Sequence, residues 1–361
     1  MNMKRYALIG CGRVAPNHVA AAKAAGLEFA GLCDLDLKKA KAFREEMGLS
    51  ETIPVYTDAD RMMEAVRPDL VAIATSSGDH AKLALQAIRR GIHVIVEKPI
   101  ALSLSDADEM IREAKANRVK LCVSHQNRFN PTIRCIHDAV SEGRLGRIMH
   151  GAADIRWFRG EDYYSQAAWR GTWKEDGGAL MNQCIHDIDL LIWMLGNEPE
   201  TVFGFTANQI HPYIEAEDLG MAVVRFKNGA IGSIEGTTDV YPNGLEETLT
   251  IFGEKGTVRA GGMSVNRMDV WNVQGEENCL EEIRRQCDEN PENVYGNGHS
   301  PLYRDMIRAI DEDGEPLVNG EAGRKALEVI LAIYRSSRTG EAVTLPMKEA
   351  STLEEVPFSE R

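Results

Sequence analysis

The 361-residue sequence predicts an α/β protein in two parts. The first is a doubly wound parallel sheet and the second is built on a mainly antiparallel sheet. Three observations carry this. Short, wholly apolar strands alternate with helical patterns over the first third of the chain. A glycine turn, Gly10-Cys11-Gly12-Arg13-Val14-Ala15, joins the first strand to the first helix. After about residue 125 the strands lengthen and hairpin signals begin. The boundary is therefore expected between residues 124 and 125, giving domains 1–124 and 125–361.

In order, the expected strands of the first domain are Tyr6–Ile9, Glu28–Cys33, Leu70–Ala74, His93–Val96 and Leu121–Val123. Helical patterns at His18–Ala25, Leu37–Met47, Ala81–Arg90 and Ser105–Ala116 separate them. Strands this short and this apolar read as buried on both faces, as in βαβ units. Ser105 with Asp108 resembles a capping box. In the second domain the expected strands are Gly151–Phe158, Thr201–Thr206, Gly220–Phe226, Ala230–Thr238, Glu247–Phe252 and Gly256–Ala260. Asn228-Gly229 and Gly253-Glu254-Lys255-Gly256 mark turns. Tyr303–Ile310 and Glu321–Ser336 read as helices, and Glu354–Arg361 as a loose tail.

Composition narrows the function. A net charge of −14 argues against a nucleic-acid footprint, which needs clustered Lys and Arg. No apolar run reaches the ~20 residues of a membrane span, and no signal-peptide core opens the chain. Seven cysteines, none spaced as C-x-x-C, point to reduced thiols in a cytoplasmic protein without a metal site.

The glycine turn has a dinucleotide-binding logic. Gly10 permits the tight turn, Gly12 lets backbone approach a pyrophosphate, and Ala15 is small enough for close helix–strand packing. The helix start then offers N–H groups to phosphate. Asp34 ends the next strand, where a carboxylate accepts both ribose hydroxyls of the adenosine and repels a 2′-phosphate, favouring NAD over NADP. Lys38 and Lys39 nearby fit a solvated helix start. Glu97-Lys98-Pro99 follows the strand ending at Val96, so Lys98 lies at the carboxyl end of the same sheet; the proline makes a specific turn there, with a cis bond an option.

A second cluster lies in Gly177–Leu191. On an ideal helix Asn182, His186 and Asp189 share one stripe beside the apolar Met181, Ile185 and Ile188. A buried polar stripe is costly unless hydrogen-bonded or liganded, and a histidine there is a natural base near neutral pH. Aromatic and basic residues crowd Arg156–Arg159 and Tyr163–Trp173, a composition suited to sugar rings and anions.

Taken together, these motifs resemble the Gfo/Idh/MocA oxidoreductase family. The turn at Gly10, Asp34, Glu97-Lys98-Pro99 and the glycine pair leading to His186 and Asp189 occur in the family's order. That resemblance implies an NAD-binding Rossmann domain followed by an α/β domain with an open, mainly antiparallel sheet, and a homo-oligomer, dimer or tetramer, formed through that sheet. Gln126-Asn127-Arg128, Tyr163-Tyr164, Trp169–Trp173, Met181-Asn182-Gln183 and Asn293–His299 further resemble a subgroup, the UDP-N-acetyl-glucosaminuronate 3-dehydrogenases of surface-polysaccharide biosynthesis. Gly253–Val258, Gly261-Gly262 and Val265-Asn266 match it too. Ser124-His125 and Gly160-Glu161-Asp162 depart from its pattern.

The expected activity is NAD-dependent oxidation of a sugar secondary hydroxyl, with Lys98 and His186 catalytic. The expected cofactor contacts are Gly10, Gly12, Arg13, Val14, Asp34, Thr75, Ser76, His80, Glu97, Lys98 and Gln126. The expected substrate contacts are Arg128, Arg156, Tyr164, Trp169, Arg170, Asn182, Gln183 and Asn266. Two alternatives stay open: a dehydrogenase of a free polyol or hexose, and a non-catalytic NAD-sensing regulator.

Overall fold

A computed structural model describes residues 3–291 and 295–360. It forms two compact units: Met1–Ala101 with Ser105–His125 and His299–Arg324, and Leu102–Leu104 with Gln126–Gly298 and Lys325–Arg361. Asn293 and Val294 of the subgroup motif lie outside the described residues, as does Arg361.

In the first unit the strands are β1 (Arg5–Ile9), β2 (Glu28–Cys33), β3 (Val55–Tyr56), β4 (Leu70–Ile73), β5 (His93–Val96) and β6 (Leu121–Val123). They pair in parallel in the order β3-β2-β1-β4-β5-β6. Strand order reverses between β1 and β4, and in such sheets ligands bind beyond the carboxyl ends at that switch. β4 and all but the first residue of β1 and β5 are buried, because helices cover both sheet faces.

β3 and the helix Ala59–Val66 are absent from the sequence reading. Two residues are too few for a periodic signal, yet the helix has a legible start: Asp58 accepts from Asp60 N and Arg61 N, and Met62, Met63 and Val66 form its buried stripe. The helix at Leu104–Asn117 begins one residue before Ser105, which therefore sits inside its first turn and not at its cap.

The boundary between residues 124 and 125 needs one revision. The helix His299–Asp311 returns to the first unit, where Tyr303 Oη lies 2.9 Å from Tyr6 Oη and 2.8 Å from His18 Nδ1. Val318 O accepts from Val123 N at 2.9 Å. Such a return in sequence leaves no compositional mark.

The second unit holds an eight-stranded sheet of β7 (Ile148–Arg156), β8 (Pro199–Ala207), β9 (Leu219–Phe226), β10 (Ile231–Thr237), β11 (Glu246–Gly253), β12 (Gly256–Gly261), β13 (Arg267–Val273) and β14 (Val343–Thr344). Its order is β13-β12-β11-β7-β10-β9-β8-β14, antiparallel except between β7 and β10. One face, with Ala153, Ile155, Ile234, Leu249 and Ile251, is buried, and the helix Ile185–Met194 packs against β7 and β11. Residues 355–360 are not a loose tail. Trp173 Nε1 donates to Val356 O at 3.2 Å, Phe358 N to Glu215 O at 3.0 Å, and Ser351 and Glu354 form a capping box.

Candidate active site

The first unit presents its motif residues at the carboxyl ends of β1, β2, β4 and β5. Gly10 has φ +95°, and a Cβ there would stand 2.3 Å from Ala74 O, so only glycine allows β1 to turn this close to β4. A Cβ on Gly12 would meet nothing within 4 Å, which leaves its backbone open to a ligand. Val14 caps the helix Ala15–Ala24 without a side-chain hydrogen bond, and no acid stands in its first turn. The helix's positive end is thus available to a pyrophosphate.

Asp34 is held by its surroundings. Oδ2 accepts from Cys11 N at 2.9 Å and Lys39 Nζ at 3.0 Å, and Oδ1 from Asp36 N at 3.1 Å. Burial pushes its pKa up, but these hydrogen bonds and the Lys39 charge outweigh burial and hold it below the usual range. An ionised acceptor at the end of β2 fits a ribose diol. These features together fit an NAD-binding site.

Further along the edge, Thr75 and Ser76 follow β4 half-buried. His80 starts the next helix, with Nδ1 2.7 Å from Pro99 O and Nε2 3.4 Å from Thr75 O. The Lys98–Pro99 peptide is cis, and Lys98 is half-buried. Glu97 lies 3.0 Å from His18 Nε2, with His299 Nε2 at 3.6 Å. Burial raises its pKa, but the two histidines hold it well below the usual carboxylate range. Glu97 is thus committed to the protein interior, and its Oε2 accepts from the Lys98 backbone N–H at 3.3 Å. Neither histidine is among the expected site contacts: His18 is readable only as a polar residue on the buried face of its helix, and His299 only as the end of the Asn293–His299 motif.

In the second unit the cluster around His186 departs from an ideal helix. Leu180–Cys184 is a π-turn, and the regular helix starts at Ile185. The wider turn breaks the common stripe expected for Asn182, His186 and Asp189. Asn182 Nδ2 donates to Asp176 Oδ1, whereas Asp189 is bound by Arg128 through two hydrogen bonds of 2.7 and 2.6 Å. His186 is half-buried between fully buried neighbours. Gln183 Nε2 donates to Tyr163 Oη at 2.8 Å, and Arg170 donates to the same oxygen. The Arg170 guanidinium lies 4.2 Å from the Tyr163 ring centre and 4.7 Å from that of Trp169. Tyr164 is buried, its hydroxyl 3.1 Å from Thr238 Oγ1. Asp176 is the partner that the sequence does not announce; Tyr163, which belongs to the aromatic stretch Tyr163–Trp173, takes up Gln183 and Arg170.

Several expected contacts find other partners. Arg128 is buried against Asp189 and Trp193, so its bidentate edge is filled. Arg156 lies on the sheet face opposite Ile155, away from the His186 helix, and binds Glu235 and Glu246. The two-residue period of β7 makes this unavoidable once Ala153 and Ile155 face inward. Asn266 accepts from Ser264 N at 3.1 Å and donates to Glu289 O, closing a loop. Gln126 donates to Tyr295 O at 3.4 Å and is buried in the second unit.

Behind His186, Asp187 and Glu247 form a buried carboxyl pair. Burial pushes Asp187 up to about 7 and Glu247 well above its ordinary value, so the pair retains a proton near neutrality. All seven cysteines are free. No helix among the described residues is long and apolar enough to cross a membrane.

A dinucleotide turn at the switch point of a parallel sheet, an acidic strand end and a lysine just past the carboxyl end of β5 define a Rossmann-fold, NAD-dependent oxidoreductase. Residues 4–125 match the family model described as the oxidoreductase family's NAD-binding Rossmann fold, and residues 137–345 its C-terminal alpha/beta domain. The chain belongs to the Gfo/Idh/MocA oxidoreductase family. Among solved structures it resembles the WlbA dehydrogenase from Bordetella pertussis, in complex with NADH and UDP-GlcNAcA, at 36% identity and TM-score 0.88, over 96% of this chain and 99% of that one. The corresponding Chromobacterium violaceum complex gives 36% identity and TM-score 0.86, over 96% and 97%. A 1,5-anhydro-D-fructose reductase of Ensifer adhaerens is 27% identical over 95% of this chain and 99% of its own.

Proposed function

We propose that this protein is an NAD-dependent sugar dehydrogenase that oxidises a ring secondary hydroxyl, C3 of a UDP-N-acetylated hexuronic acid or a related nucleotide sugar. The observation that carries this reading is the full-length likeness, at 36% identity, to a dehydrogenase crystallised with NADH and UDP-GlcNAcA. The aromatic and polar cluster of Tyr163, Trp169, Arg170, Asn182 and Gln183 supports it.

Bound NAD⁺ would supply the hydride acceptor for the hydroxyl carbon. Gly10, Gly12, Arg13, Val14, Thr75 and Ser76 would hold its phosphates and nicotinamide side, and Asp34 its adenosine ribose. Lys98 orients the substrate oxygen and stabilises developing negative charge. His186 takes the hydroxyl proton. The carbon thus loses a hydride, the oxygen a proton, and a ketone is left. Asn182, Gln183, Tyr164, Trp169 and Arg170 hold the sugar. We propose also that the protein is a homo-oligomer, assembled through the sheet face that carries Phe203, Phe205, Met221 and Val223.

The test is NADH formation with three candidate substrates: UDP-N-acetyl-glucosaminuronate, UDP-N-acetylglucosamine and myo-inositol. The nucleotide hexuronate should be turned over with the highest kcat/KM. A higher value for the free polyol would reject the nucleotide-sugar assignment, a reading the likeness to a reductase of a free anhydro sugar keeps in play. NAD binding with no turnover of any alcohol would favour the regulator.

A further inference from the structure

Glu217 precedes β9 and is fully buried, yet it belongs to none of the groups assigned above. It meets the start of the helix that carries Asn182, Gln183 and His186 at two points. Its carbonyl oxygen accepts from Ala179 N at 2.9 Å, and its carboxyl Oε1 accepts from Leu180 N at 2.9 Å. The first amides of a helix have no partner within it, so Glu217 caps this one from the segment that leads into β9. Tyr334 donates its hydroxyl to the same Oε1 at 2.9 Å, tying the cap to a second helix.

Space for the cap comes from Gly178. A Cβ there would stand 1.9 Å from Glu217 Oε2 and 2.4 Å from Glu217 O. The capped amide at Leu180 is also the first residue of the π-turn, which ends one residue before the regular helix bearing His186.

We propose that Glu217 is a positioning residue: it clamps the first amides of the π-turn and so aims Asn182, Gln183 and His186 at the substrate. The proposal rests on the reading of His186 as the proton acceptor. Burial pushes the Glu217 carboxyl up to about 8, so near neutrality it is mostly the uncharged acid. That form accepts both donors on Oε1 without placing a charge in the interior. The titratable groups facing it are Tyr334 from the long helix, Cys184 from the site helix, Tyr164 from the loop before it and Asp218 beside it. None of these is a cation, so ionisation at higher pH puts an uncompensated charge against the clamp.

The test compares Glu217→Gln, Glu217→Asp and Gly178→Ala with the wild type, reading kcat, KM, NAD affinity and thermal melting. Glutamine is the isostere of the neutral acid and should keep kcat within about threefold. Aspartate falls a methylene short, and alanine at position 178 displaces the carboxyl. Each should lower kcat on the order of 100-fold, the loss that a misplacement of about 1 Å brings, with NAD affinity unchanged. The wild type should lose kcat as pH rises through about 8, and Glu217→Gln should lose less over that range. Folded aspartate and alanine variants with wild-type kcat would overturn the proposal, and so would a glutamine variant as impaired as the aspartate. If those two variants do not fold, the glutamine variant decides alone through its kcat and its alkaline limb. His186→Asn separates the two readings. If it retains turnover, the assignment of the base fails whatever Glu217 does; if it is inactive while Glu217→Asp is normal, the clamp alone fails.

Discussion

Arg128 and Asp189 meet edge to edge inside the second unit, Nε to Oδ2 at 2.7 Å and NH2 to Oδ1 at 2.6 Å, with 4% and 1% of their side chains exposed. The guanidinium also lies 4.8 Å from the centre of the Trp193 ring. This pair links the turn after β6 to the helix of His186 and spends both charges on each other. Replacing Asp189 by Ala leaves a buried, unpaired guanidinium and should destabilise by about 3–5 kcal/mol. The double variant Arg128→Met with Asp189→Leu should regain much of that loss. Urea denaturation midpoints check both, and an Asp189→Ala midpoint equal to wild type would show the pair to be dispensable.

The two glycines of the dinucleotide turn should behave differently. Ala at Gly10 must adopt φ +95° and push against Ala74 O, so it should lower stability, with about 1–3 kcal/mol from the backbone alone. Ala at Gly12 meets no protein atom within 4 Å, so its melting should match wild type. Its NAD affinity should nonetheless fall about tenfold or more, since a methyl stands where the pyrophosphate approaches. Melting curves with and without NADH, together with fluorescence titration, separate the two effects. Unchanged NAD affinity in Gly12→Ala would move the phosphate site elsewhere.

Much of this was readable from residues alone, and the failures share a cause. β1, β2, β5 and β6 stand out because, past a polar first residue in the first three, they are apolar runs buried on both faces, and Gly10, Asp34 and Lys98 then fall at carboxyl ends without further assumption. The partners of polar side chains were not readable. Nothing local in the sequence says that Arg156 faces Glu235 and Glu246, or that Arg128 is claimed by a carboxylate 61 positions away. The π-turn at Leu180–Cys184 is equally silent: its first amide is held by Glu217, 37 positions further on, and no local pattern in those five residues announces it. It is also what undid the shared stripe of Asn182, His186 and Asp189.

Lys98→Met tests the assignment of the electrostatic group. The substitution keeps an unbranched apolar stem, one atom shorter, and removes the ammonium. Turnover should fall on the order of 100- to 10,000-fold, while NAD binding, measured by fluorescence titration, stays at the wild-type value. Near-wild-type turnover would reject the role given to this lysine.

The Asp187–Glu247 pair should leave a signature in the pH dependence of stability. Burial raises both carboxyl pKa values in the folded protein, so the folded state binds a proton that the unfolded chain has released. Where the folded state holds more protons, stability falls as pH rises. This contribution is therefore fully present below the ordinary carboxylate range and is lost as pH rises through about 7. Asp187→Asn keeps the shape without the second ionisation, so its stability relative to wild type should climb between about pH 5 and pH 8. A flat difference between the two denaturation curves over that range would mean the pair does not share a buried proton.

The outer face of the second sheet sets the last expectation. Phe203 pairs with Val223 and Phe205 with Met221 across β8 and β9, and all four side chains are exposed, Phe205 by 61% and Met221 by 51%. A contiguous exposed apolar row of this kind is the mark of an interaction surface. On the same face, toward β7 and β11, it gives way to Asp154, Arg156, Glu235, Glu246 and Arg259, a belt holding both signs of charge. A second copy related by a two-fold axis brings apolar row to apolar row and allows belt charges to meet opposites, which is the self-complementarity a symmetric interface requires. Glu at both Phe205 and Met221 should change the isolated fold little, because neither side chain is in the core. In an assembly it places four carboxylates in an apolar contact, so the variant should sediment as a monomer where the wild type sediments as an oligomer. Equal sedimentation of the two as oligomers would assign assembly to another surface, and a monomeric wild type would leave this face without a partner of its own kind.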